Sequence, residues 1–107
     1  MAVRSTRLFT AAHGSTTQAT DYTVPAGFRT ILKTVTVVCR AAATLTLSYR
    51  NSTTAQSIDF YKHTFALGET ALLVNLFVVL HTGDAILSTQ DTASAFFITA
   101  SGAELAL

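Results

Sequence analysis

The sequence predicts an all-β fold: a jelly-roll-like β-sandwich of about eight short antiparallel strands, a single domain over residues 1–107, with no substantial helix. Three observations carry this. Its nineteen threonines repeatedly alternate with aliphatic residues, which is how a pleated sheet with one wetted face is written. Turn residues recur at nearly regular spacing with no helical spacer between them, a rhythm that favours a sandwich or barrel over an α/β fold. No segment has the Ala, Glu, Lys and Leu mixture of a surface helix, and 107 residues are enough for one core and too few for two.

Taken in order, residues Met1 to Thr6 are expected to be a flexible arm or one that docks on a neighbour. "AHGSTTQAT" is a polar loop leading into "DYTV". In "VPAGF", Pro25 is expected at the first central position of a type I turn, with Gly27 at its exit. The long segment "FRTILKTVTVVC" places Ile31, Val35, Val37 and Cys39 on one face and Thr30, Thr34 and Thr36 on the other. In "ATLTLSY" the inward set is Leu45, Leu47 and Tyr49, against Thr44, Thr46 and Ser48. "SIDFYKHTF" sets Ile58 and Phe60 against Asp59, Tyr61 and His63, a pattern that Phe65 breaks.

The run from Ala71 to Leu80 is ten residues, whereas a bilayer core needs about 20 in a helix, so it is not a span. Leucines at helical spacing would suit a helix, but Val74, Val78 and Val79 fill the other faces and the periodicity is uninformative. Flanking signals make it strand, turn, strand: Gly83 supplies positive φ and Asp84 a local side-chain bond, while Asn75 marks a bend or bulge. "SAFFITAS" and "AELAL" read as two further strands around an irregularity at Ala100 to Gly102.

Only 12% of residues are charged while half are hydrophobic, about half the usual charged share of roughly 25%. Such a surface is expected to be covered by neighbouring copies, in a closed ring with a trimer favoured, or by other proteins. The candidate contact residues are Phe77, Val79, Phe96 and Phe97, drawn from places where adjacent large apolar residues cannot all face one core. Lys and Arg are spread singly along a chain of net charge +1, which speaks against a nucleic-acid track. The N-terminus lacks the apolar run of a secretory signal. Cys39, the single cysteine, is expected as a small buried hydrophobe.

Chemistry is sparse. His13, His63 and His81 match no short metal-binding spacing, so no metal or cofactor is expected. Among the carboxylates, Asp21, Asp84 and Asp91 sit beside turns, where backbone bonding explains them; Asp59, Glu69 and Glu104 complete the set. There is no phosphate-binding glycine loop, no GxSxG and no tryptophan. Tyr22, Tyr49 and Tyr61 read as half-buried strand residues rather than a sugar platform. The expectation is no enzyme, although two carboxylates about 5–10 Å apart in a cleft would revive a hydrolase.

The order "RLF", "YTVPAGFRTILKTVTVV", "LTLSYR", "VVLHTGDAI" and "ITASGAEL" resembles small structural proteins of tailed bacteriophages. These tend to carry a Y-T-V-P-A-G turn, a long strand with a basic residue in its middle (Lys33 here), a G-D turn and a closing S-G-x-E strand. The resemblance runs from Leu8 to Leu107; its distinctive parts are Tyr22 to Gly27 and Gly83–Asp84. It implies a non-enzymatic virion component, decorating the head or forming part of the neck or tail, that oligomerises and docks on other virion proteins; the scattered charges and the short apolar run already make nucleic acid and membrane unexpected as partners. Binding of a host glycan or receptor through polar loops such as "RNSTTAQ" is the alternative. The chain departs from the pattern at "CRAAAT", where a polar turn is usual; no catalytic residues carry over.

Overall fold

The computed structural model describes residues 3–74 and 76–107. Nine strands follow one another with no helix among the described residues: β1 (Val3–Ala11), β2 (Ala19–Thr23), β3 (Phe28–Cys39), β4 (Ala43–Arg50), β5 (Ser57–Phe65), β6 (Thr70–Leu73), β7 (Val78–Leu80), β8 (Ala85–Gln90) and β9 (Phe96–Ala106). One sheet runs β1-β9-β3-β6, with β7 also on β3; the other runs β2-β8-β4-β5. All pairs are antiparallel. The chain crosses repeatedly from one sheet to the other, and each sheet interleaves early with late strands, which is the jelly-roll arrangement. β6 and β7 occupy one position in it, as two halves of a broken edge strand.

The core lies between the sheets. Leu32, Val35, Val37, Phe96 and Ile98 from one meet Leu45, Leu47, Phe65 and Ile86 from the other, all nearly inaccessible to water. Phe65 and Phe96 meet edge to face, ring centroids 5.2 Å apart, a favoured aromatic geometry. Cys39 is buried and its thiol donates to the Ala41 carbonyl. The accessible surface, 5663 Å², is close to the roughly 5,800 Å² that scaling gives for this mass. The low charge content therefore does not come from an unusually small surface.

Four single-residue insertions reset the alternation. Leu8 in β1, Asp21 in β2, Lys33 in β3 and Phe60 in β5 are each skipped by the pairing while the partner strand runs on. Such bulges flip every later side chain to the opposite face. Hence Thr30 and Leu32 point inward before Lys33, and Val35, Val37 and Cys39 after it. Ile31, expected on the core face, looks outward for that reason. In β5 the insertion of Phe60 puts Tyr61, His63 and Phe65 on one side, opposite Leu47, Leu45 and Ala43. That resolves the apparent break at Phe65 and moves Tyr61 and His63 off the polar face assigned to them; the His63 ring meets Phe65 edge to face at 4.6 Å. Ser48, expected on the wetted side, is fully buried and donates to Asp59.

Three further expectations change. Val3 to Thr6 belong to β1 and pair with Leu105 to Gly102, so this part of the expected arm is laid on its own sheet; Met1 and Ala2 lie outside the described residues, as does the expected bend at Asn75. The segment Phe96–Ala106 is one strand, not two: the irregularity foreseen at Ala100 to Gly102 resides in its neighbours, β1 and β3, which bulge on either side of Ser101 and Gly102. The turn after β2 closes from Phe28 N–H to the Pro25 carbonyl with Gly27 at φ +82°. Proline is thus the first residue of the turn, and the positive φ two residues on is that of a type II turn.

Gly102 is where β9 comes closest to β3. A Cβ there would stand 2.0 Å from the Ile31 carbonyl oxygen, which is backbone. Gly102→Ala is accordingly expected to destabilise by about 1–3 kcal/mol or more, lowering the melting temperature by roughly 5–15 °C, as thermal unfolding followed by circular dichroism would show.

Candidate assembly interface

The broken edge strand is where the apolar surplus of the sequence comes to the surface. Leu72 is 62% exposed, Phe77 77% and Val79 50%, with Leu67 and Val74 also open to water. A strand buried on both faces can be wholly apolar; this one pairs on one side alone, with β3, so its alternate side chains have no layer above them. Between its halves Val74, Leu76 and Phe77 lie outside the strands, and Leu76 N–H donates to the Lys33 carbonyl. The bulge at Lys33 and the interruption of its partner strand are thus at one place. The β5 edge of the second sheet is treated differently: it carries Lys62, His63 and the Phe60 bulge, devices that discourage sheet extension.

Of the four sequence-derived contact residues, Phe77 and Val79 lie on this edge. Phe97 is 43% exposed on the outer face of the same sheet, beside Val38, with the Arg40 guanidinium 4.7 Å from its ring centroid. Phe96 is a correction. At 2% exposure and packed on Phe65, its side chain belongs to the core, because strict alternation in β9 leaves only its neighbour outward. Sequence reasoning missed Leu67, Leu72 and Val74; the signal for the last two was the apolar run from Ala71 to Leu80, which one edge strand cannot hide, and Leu67 had none.

The polar groups are bound into the scaffold. His13 is paired with the buried Asp21 side chain, and His63 Nε2 lies 2.8 Å from Glu69 Oε2. The Ala66 N–H and then the His63 ring hold the Glu69 carboxyl below the usual carboxylate range. Asp91 accepts from Thr44 N–H. Among the described residues no three His, Cys, Asp or Glu side chains converge as metal ligands, and no helix is long and apolar enough to cross a membrane.

The motif segments meet in space. Val24 N–H donates to the Asp84 carbonyl and Gly83 N–H to the Val24 carbonyl, so the Y-T-V-P-A-G and G-D turns are joined. Tyr22 Oη donates to Glu104 Oε2 at 2.6 Å and lies 2.8 Å from the Thr30 hydroxyl, which links the first motif to the last. Asp84 accepts from Ser52 N–H at 2.9 Å and from His81 N–H at 3.0 Å, as the local bond expected of it requires. These residues hold one end of the sandwich together; they do not form a ligand cleft.

No protein-family model and no curated protein matches this chain. Solved structures do. The core of a Drosophila NLP, whose structure concerns pentamer formation and histone binding, superposes with a TM-score of 0.58 at 10% identity, over 98% of this chain and 99% of that one. A chain of infectious bursal disease virus, Gx strain, superposes at 0.59 with 8% identity, over 96% of this chain and 31% of the viral one. A pentameric capsid protein from metagenomic phage sequences gives 0.44 at 14% identity, over 95% and 61%. The fold is therefore a jelly roll of the kind seen in virus particles, and is shared with a protein of another class. These likenesses concern the fold alone.

Asp84 makes the acid sensitivity of the joined turns predictable. Burial raises its pKa, but the N–H groups of Ser52 and His81 outweigh burial and leave it below the ordinary value of 3.8. A carboxyl depressed in the folded state stabilises at pH above its unfolded value, and that contribution is lost as pH falls through the folded value. Asp84→Asn is expected to lose about 1.5–3 kcal/mol at neutral pH. The gap between variant and wild type in urea midpoints should close as pH is lowered from about 5 towards 2.

Proposed function

We propose that this chain is a non-enzymatic structural component of a virus particle, of the tailed-phage type, which self-associates through its β6–β7 edge and docks on other proteins of the particle. The observation that carries the reading is the gathering of exposed Leu72, Val74, Phe77 and Val79 on one interrupted edge, with exposed Leu67 in the turn before it, in a chain with few charges to wet it. Hydrophobic burial drives protein association, and a closed ring hides every copy of such an edge where an open arrangement leaves one bare. A trimer is the smallest such ring; the NLP core forms a pentamer. The phage assignment is supported by the motif pattern from Leu8 to Leu107, and the jelly-roll fold is compatible with it.

Assembly is tested by sedimentation equilibrium of the purified chain at micromolar concentration. The expected result is a discrete oligomer whose mass gives the ring size, converted to monomer by Leu72→Asp/Phe77→Asp with the β-type circular dichroism spectrum retained, since neither side chain belongs to the core of the single chain. A wild-type chain that stays monomeric up to about 100 μM, a range set by affinities near −5 kcal/mol, defeats the assembly reading. Mass spectrometry of purified particles tests whether the chain is a virion constituent.

A second reading, a glycan- or receptor-binding module, has one feature in its favour: a shallow polar groove on the outer face of the β8-β4-β5 sheet, lined by Thr44, Thr46, Lys62, Thr64, Thr89 and Asp91. The groove has no aromatic side chain for a sugar to stack on, and the Thr44 and Thr64 hydroxyls bond each other. A glycan array with a ligand sensitive to Thr46→Ala would favour it.

A further inference from the structure

The seven Lys and Arg residues are spread singly along the sequence, but the pairing of β1, β9 and β3 does not leave them spread. Arg7 stands beside Ser101, which stands beside Thr34; Lys33 bulges next to Thr34; Arg29 faces Leu105; Arg40 lies over Phe97. All four are exposed and share the outer face of one sheet. No carboxylate shares it. Asp21 is bound to His13, Asp59 to Ser48, Glu69 to His63 and Ala66, Asp84 to its turn, Asp91 to Thr44 and Glu104 to Tyr22 on the inner side. Among the described residues no ion pair involves these four cations.

The same face carries Val38, Phe97 and Ile31 between the cations, and at the twin bulge a depression lined by Thr6, Lys33, Thr34, Ser101 and Gly102. We propose that this face docks an acidic protein surface, one with apolar side chains among its carboxylates, and that the depression receives one of those carboxylates, held by the Lys33 ammonium and the surrounding hydroxyls. The partner is not another copy of this chain. Of its described side-chain carboxylates only Asp59 and Asp91 are exposed, with Glu69 partly so beside His63, too few to answer four cations, and two such faces brought together repel.

Extent and chemistry separate a protein from a nucleic acid here. From Arg29 to Arg40 the strand runs about 36 Å, and four strands give about 19 Å of width, so the face offers roughly 700 Å²; one partner of a standard protein interface contributes about 800 Å². Duplex DNA presents a charge every ~1.7 Å, so that length would set about twenty phosphates against four cations and lay the rest on apolar side chains. Arginine and aromatic residues around an apolar centre are instead what protein interfaces favour.

The probes are a labelled peptide of about 15 residues made of Glu and Leu, a poly-glutamate of equal length and a 20-base-pair duplex of about equal charge density to genomic DNA, each followed by fluorescence anisotropy. The mixed peptide is expected to bind, to weaken about tenfold between about 50 and 300 mM salt, and to lose at least about tenfold in Arg7→Glu/Lys33→Glu. Arg50→Glu/Lys62→Glu, the same charge change on the other sheet, should leave binding within about twofold. If reversal at Lys33 disturbs the bulge, Arg29→Glu/Arg40→Glu carries the same test. The proposal is overturned by no peptide binding, by equal loss in the control pair, by poly-glutamate binding as tightly as the mixed peptide, or by duplex binding more tightly than either. Running the arms also on Phe77→Asp separates the two readings: peptide binding scores this face whether or not the chain associates through its edge.

Discussion

The close contact of β9 with β3 at Gly102 is the constraint on which the arrangement depends. β9 lies between β1 and β3 and is the one strand of its sheet that runs unbroken for eleven residues. Both neighbours insert an extra residue at the same level, Leu8 on one side and Lys33 on the other, and the absence of a side chain at Gly102 lets the Ile31 carbonyl come in against it. A bulge bends and twists its strand; two of them flanking one point of a central strand curve the sheet over the core. The inward set of β3 changes parity there, so Leu32 and Val35 both reach the interior although they are three residues apart.

The same level of the sheet organises its outer surface. Lys33 is extruded by the bulge, its carbonyl receives Leu76 N–H, and the edge strand is divided into β6 and β7 at that place. One local insertion thereby gives the sheet an interrupted apolar edge and a basic, partly apolar outer face. The two surfaces adjoin but differ in chemistry: the edge is apolar and uncharged, while the face has charge of one sign. The opposite sheet presents threonine hydroxyls that bond each other and backbone, a surface that water covers at little cost.

The motif segments have a structural role. Tyr22, Val24, Gly83, Asp84 and Glu104 come from three distant parts of the chain and bind one another, closing the end of the sandwich where β2, β8 and β9 meet the turns. A part-buried tyrosine hydroxyl and the buried Glu104 carboxylate need partners, and once they have them they specify which strand ends can come together. A sequence pattern can therefore be spread over most of a chain and still mark no reactive site. Here it marks a joint.

Composition and alternation were sufficient for the class of fold: threonine against aliphatic residues in β4, the valines of β3 after Lys33, and the glycine and aspartate of the turn before β8 all read correctly, because each is a matter of a few adjacent residues. What alternation could not reveal was parity across a bulge. Ile31 against Leu32 and Phe60 against Phe65 turn on insertions defined by the partner strand, and which of Phe96 and Phe97 faces the core turns on how β9 is seated in its sheet, neither of which local sequence contains. Exposure of Leu72 and gathering of Arg7, Arg29, Lys33 and Arg40 are likewise products of strand order. Residues far apart in the chain become neighbours through pairing, and a surface has its charge and its greasiness only once the sheets have been stacked.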